Sequence, residues 1–67
     1  MIKYSHIFGT EYDDTNTVRI VNTKQAGKYI YHKVPLIDLY YSVETLVFVF
    51  NRDDTKEVYD KWCKHEL

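Results

Sequence analysis

The strongest pattern in this 67-residue chain lies at residues 37–50, IDLYYSVETLVFVF, where two apolar runs flank Ser42, Val43 and Glu44. Folding the runs back antiparallel about that bend predicts a hairpin. Because side chains alternate along a strand, Ile37, Leu39, Tyr41, Leu46, Phe48 and Phe50 then share one face. The other face receives Leu36, Asp38, Tyr40, Val47 and Val49. The first set is wholly apolar or aromatic and is expected to be the core. Neither Asn-Gly nor Asp-Gly occurs at the bend, so the pattern does not fix the turn type.

Two segments carry a helical period. Asn22-Thr23-Lys24-Gln25 reads as an N-cap with a capping box. It opens a narrow stripe of Ala26, Tyr29, Ile30 and Lys33. Pro35 disfavours helical geometry at Val34, which places the helix end near Lys33. Gly27 inside this helix costs about 1 kcal/mol relative to Ala, a cost that close approach to the sheet would offset. The second segment opens at Asp54-Thr55-Lys56-Glu57, with Asp54 expected as cap. Val58, Tyr59, Trp62 and Cys63 follow on one side. Trp62 is the expected anchor, and its truncation to Ala should cost roughly 3–5 kcal/mol if it is buried.

The first third of the chain is less regular. TVRIV, residues 17–21, reads as a strand, and Lys3–Phe8 as another whose alternation is broken by Ile7. EYDDTNT, residues 11–17, reads as a polar loop. The pattern as a whole predicts an α+β domain of order (β)αββα, an antiparallel hairpin packed against two helices. It spans residues 1–67 as a single domain, with 1–16 as a loosely attached N-terminal strand and loop.

Composition narrows the function. Nine basic and ten acidic residues leave a net charge of −1, without the electrostatic footprint of a generic nucleic-acid binder. One cysteine cannot form an internal disulfide and fits a reducing compartment. No apolar run approaches a membrane span, and the start MIKYSHIFGTEYDD has no signal-peptide core. A cytoplasmic protein is expected. A domain this small is marginal by itself, which favours association with a partner. Seven tyrosines suit partly wet contact surfaces.

Candidate chemistry is sparse. His6, His32, His65 and Cys63 lack the spacing of a zinc site, so no metal or other cofactor is expected. Asp14-Thr15-Asn16 begins like a calcium loop without its glycine and terminal glutamate. Cys63 lies toward a helix C-terminus, where the dipole disfavours a thiolate, and reads as a small core residue. Asp13/Asp14 and Asp53/Asp54 read as exposed turn and cap residues. The expectation is a non-enzymatic protein. Lys28, Tyr31, Asp38 and Tyr40 are the candidate partner-binding residues, on a tyrosine-bearing sheet face and helix edge. That face is either covered by the N-terminal segment or exposed for docking. A second possibility is a small dimeric nucleic-acid-binding regulator that uses Lys24, Lys28, Tyr31 and His32, with Tyr31 stacking on a base. A third is a self-associating structural protein, such as a homodimer.

From Val18 onward the chain resembles small uncharacterised proteins of bacteriophages and prophages of Gram-positive bacteria. The features shared are Asn22, Gln25 and Ala26; Tyr29, Pro35, Ile37, Asp38 and Tyr40; Val47–Phe50; and Thr55, Tyr59, Trp62, Glu66 and Leu67. Lys33 departs from the pattern, where relatives carry a glycine that closes the helix. The resemblance implies a setting: an accessory protein in the host cell that binds and inhibits a host protein, including components of defence systems such as CRISPR.

Overall fold

The computed structural model describes residues 1–67. Five strands and two helices form along the chain: β1 (Ile2–Tyr4), β2 (Glu11–Asp13), β3 (Thr17–Ile20), α1 (Thr23–Tyr31), β4 (Leu36–Ser42), β5 (Thr45–Asn51) and α2 (Arg52–Cys63). A single 3₁₀ turn at Asp14–Asn16 joins β2 to β3. The fold is α+β. β3, β5 and β4 form an antiparallel sheet with β5 in the centre, while β1 and β2 form a separate hairpin. The segment read as a polar loop therefore contains a strand, because Glu11–Asp13 pair with Ile2–Tyr4.

The mid-chain ribbon keeps the expected register over most of its length, with Leu39 opposite Phe48 and Tyr41 opposite Leu46. Its bend is a two-residue turn in which Val43 and Glu44 both take positive φ, 50° and 61°. This is the type I′ arrangement that matches strand twist, made here without glycine or asparagine. A β-branched residue in that region is strained, and Val43 is 92% exposed with no packing to offset it. At the other end the register shifts. Leu36 opposes Phe50 and Asp38 opposes Val49, leaving Ile37 as an extra residue. This bulge reverses the expected parity there: Leu36, not Ile37, turns onto the face shared with Phe50.

That face carries the core. Ala26, Tyr29, Val34 and Phe50 form its buried centre, with Val18, Ile20, Leu36, Phe48, Val58, Trp62 and Leu67 packed around it. The Tyr29 and Phe50 rings meet edge to face at 5.5 Å. Asn22 caps α1 as its sequence requires, accepting from the Gln25 amide at 3.1 Å. The Gln25 side chain does not close the box; it donates to the Tyr29 hydroxyl at 2.8 Å. Gly27 faces open space rather than the sheet. α2 begins earlier than the Asp54 cap would have it. Asn51 is the cap, accepting from the Asp53 amide at 2.9 Å, and Asp53 and Asp54 fall in the first turn. The buried stripe is then Thr55, Val58 and Trp62, while Tyr59 and Cys63 are exposed. Trp62 is only half-buried, so Tyr29 and Phe50 are the principal aromatic anchors.

Both helices end in Schellman motifs. The Lys33 amide donates to Ile30 O and the Val34 amide to Tyr29 O; likewise His65 donates to Trp62 O and Glu66 to Lys61 O. Lys33 and His65 hold the left-handed position at φ 66° and 58°. α1 itself ends at Tyr31, and Lys33 lies just beyond it.

Candidate partner-binding surfaces

The second sheet face is not open. Val47 and Val49 are buried, and Asp38, in the middle of that face, has no exposed surface. A carboxylate placed there must be fully hydrogen-bonded, since an unpaired buried charge costs several kcal/mol. The β1–β2 unit supplies the donors. The His6 amide meets Asp38 Oδ1 at 2.6 Å and His6 Nδ1 meets Oδ2 at 2.8 Å. The Tyr12 hydroxyl donates to Oδ2 at 3.2 Å, and the Leu39 amide to Oδ1 at 2.8 Å. Ser5 Oγ lies 3.3 Å from Oδ1 and donates to the Ile37 carbonyl at 2.9 Å. The bulge at Ile37 thus presents a carbonyl to the same cluster.

The electrostatics follow. Desolvation pushes the Asp38 pKa up, but the hydrogen bonds from His6 and from the Leu39 amide outweigh it and hold the carboxyl below its ordinary 3.8. Burial, then the adjacent Asp38 charge, raises the Tyr12 phenol above its usual value. The His6 ring is 62% exposed and lies against Tyr40, with centroids 5.0 Å apart and planes tilted by 31°. A buried carboxylate orienting an exposed imidazole resembles half of a catalytic triad. Here the nearby hydroxyls of Ser5 and Tyr12 are themselves turned onto Asp38 and the Ile37 carbonyl. The cluster spends its hydrogen bonds on holding the hairpin against the sheet.

Asp38 is therefore a structural hub and not a contact residue, which corrects its place among the partner-binding candidates. Tyr40 is half-buried beside it. Lys28 and Tyr31 lie on α1, across the sheet from both, so the four candidates do not form one surface. Ser5, His6 and Tyr12 were missed by sequence reasoning. The available signal was one carboxylate in an otherwise apolar strand, which demands polar partners without naming them.

The α1 candidates do come together. Lys24, Lys28, Tyr31 and His32 line a depression of about 410 Å³ beside Leu67. It adjoins another of about 350 Å³ that adds Trp62 and His65. Tyr31 is 82% exposed, edge-on to His32 at 5.5 Å. Lys28 is partly committed, since its Nζ donates to the Leu67 carbonyl at 3.0 Å. A separate groove of about 410 Å³ runs between β3 and α2, floored by Val18, Ile20 and Tyr29 and rimmed by Arg52, Lys56 and Tyr59. No group of three or more His, Cys, Asp or Glu side chains is placed to hold a metal ion. No helix is long and apolar enough to cross a membrane. No family model, curated protein or solved structure matches this chain.

Proposed function

We propose that this chain is a non-enzymatic accessory protein that acts by occupying the surface of another protein. The setting is the one its resemblance to phage proteins implies: the cytoplasm of a bacterial host, with a component of host machinery, such as a CRISPR effector, as the inhibited target. One observation carries this reading: more large apolar side chains are exposed than buried. Eight of the twelve fall in two short stretches of the chain, Met1 among them. Ile2, Tyr4, Ile7 and Phe8 occupy the N-terminal hairpin and its turn, and Tyr41, Val43 and Leu46 the tip of the β4–β5 hairpin. Exposed apolar groups of this kind mark interaction sites. A standard interface of about 800 Å² per partner would take roughly a sixth of the 4847 Å² surface.

The test is affinity capture from a Gram-positive host lysate with the tagged chain, with and without nuclease. A discrete host protein retained after nuclease is the expected result. Capture that vanishes with nuclease, or no capture at all, overturns the reading. The grouping of Lys24, Lys28, Tyr31 and His32 around one groove favours a second reading, binding of single-stranded nucleic acid. Its sign would be salt-dependent gel retardation abolished by Lys24→Glu with Lys28→Glu.

A further inference from the structure

We propose that the free edge of β3 and the groove beside it form a strand-addition site for an extended, acidic segment of a partner protein. The proposal rests on the protein-binding reading above and names the chemistry of the segment.

The edge follows from the register. In a two-residue hairpin Ser42 and Thr45 are a hydrogen-bonded pair, so Val47 and Val49 direct their main-chain groups at β4, and Phe48 and Phe50 at β3. Val18 and Ile20, opposite Phe50 and Phe48, spend theirs on β5. Arg19, between them, turns its N–H and C=O outward. No main-chain partner lies outside β3, which ends the sheet. The opposite edge is partly closed: on β4 the Leu39 amide is bound by Asp38 and the Ile37 carbonyl by Ser5. An unpaired strand of this kind is a template for an added strand.

The groove gives the edge selectivity. Val18 and Ile20 point to the helix side, where they and Tyr29 floor the cavity. An added strand would send every second side chain onto this floor, and an aliphatic residue fits it. Arg52 and Lys56 stand on the rim, with no carboxylate among the lining residues. The Arg52 guanidinium donates to the outward Thr17 carbonyl at 3.4 Å at the mouth of the groove, so Arg19 is the residue of β3 whose main-chain groups stay open. Lys56 makes only an exposed contact to Asp53, at 3.4 Å, a kind of pair worth little. Arg19, half-exposed, projects from the other face of the same strand, where its guanidinium lies 3.6 Å from the Asp14 carboxylate, so Arg52 and Lys56 carry the basic character of the groove. The chemistry selects an aliphatic residue flanked by acidic ones. A second copy of this chain fits poorly, since pairing β3 with β3 would set Arg19, Arg52 and Lys56 against their own equivalents.

The test is panning of a random octapeptide display library on the immobilised full chain, followed by titration of the enriched peptides into ¹⁵N-labelled protein. Peptides alternating aliphatic and acidic residues are expected, with exchange of the Arg19 amide slowed at least tenfold on binding. Arg19→Pro removes the outward donor while leaving the ladder to β5, and should weaken binding at least tenfold; Arg19→Ala, which keeps the donor, should weaken it less. Arg52→Glu with Lys56→Glu provides a second variant at exposed positions. No enrichment, enriched peptides that are basic, or binding unchanged in both Arg19→Pro and the charge-reversed variant would overturn the site. Concentration-dependent dimerisation through β3 would also overturn it. Because the readout is a peptide, failure here leaves host-protein capture to be judged separately.

Discussion

The two faces of the three-stranded sheet are buried by opposite means. On the helix side Phe50, Phe48, Leu36, Val18 and Ile20 meet Tyr29, Ala26 and Trp62, and burial is a matter of apolar area. On the other side a hairpin with its own apolar residues turned largely to solvent is held by polar bonds converging on Asp38. Apolar contact is non-directional and tolerates repacking. A hydrogen-bonded carboxylate is directional and fails when one partner is wrong. The helix face therefore sets whether the chain folds, and the hub sets whether the N-terminal hairpin stays in place.

The largest way to break this comparison is Phe50→Ala, which removes a fully buried ring from the core. It should cost about 3–5 kcal/mol and abolish the cooperative urea transition of so small a domain. Asp38→Asn keeps the shape but presents a donor where His6 or Tyr12 also donates. A loss of roughly 2–3 kcal/mol is expected. Its location is the sharper test: amide exchange should accelerate across residues 2–13 while α1 keeps its protection. Equal loss in both regions would show that the two faces are one cooperative unit.

Acid probes the same hub without mutation. The folded-state pKa of Asp38 lies below its ordinary 3.8, so its stabilising contribution is fully present above about pH 4 and is lost as pH falls through the lowered value. Urea midpoints compared at pH 5.5 and pH 2.5 should drop, and drop less in Asp38→Asn. Some loss should remain, because Asp13 is also lowered, to about 2, by hydrogen bonds from the Thr15 side chain and amide, and Asp14 by the terminal ammonium and Lys3.

Two smaller changes should stabilise. Val43→Asn with Glu44→Gly gives the type I′ turn the residues it favours and should add about 1–2 kcal/mol, read as a raised melting temperature. Gly27→Ala, with no neighbour within 4 Å of the added methyl, should add about 1 kcal/mol.

Local chemistry was legible where neighbours in sequence decide the outcome. Asn22 caps α1 because the amide it accepts from is three residues away, and Leu39/Phe48 and Tyr41/Leu46 pair because alternation propagates from a short bend. Asp54 misled because three capping candidates, Asn51, Asp53 and Asp54, stand together. Asn51 prevails because β5 ends there, paired with Thr17. Cys63 and Tyr59 fit the helical period as well as Val58 and Trp62 do, and only the placement of α2 on the sheet exposes them. The candidate site was less legible still, since Lys28 and Tyr31 are separated by the sheet from Asp38 and Tyr40.

By itself the sequence determined an α+β chain with a central hairpin and two amphipathic helices, since these depend on alternation and capping. Only tertiary structure decided that Ile37 bulges, that Asp38 is a buried hub for Ser5, His6 and Tyr12, and that β3 is left as an open edge. The bulge depends on how β4 aligns with β5 beyond the turn, the hub joins residues some thirty positions apart, and the open edge depends on which strand is outermost. Such contacts are set by the free energy of assembling whole elements, to which no short stretch of sequence has access.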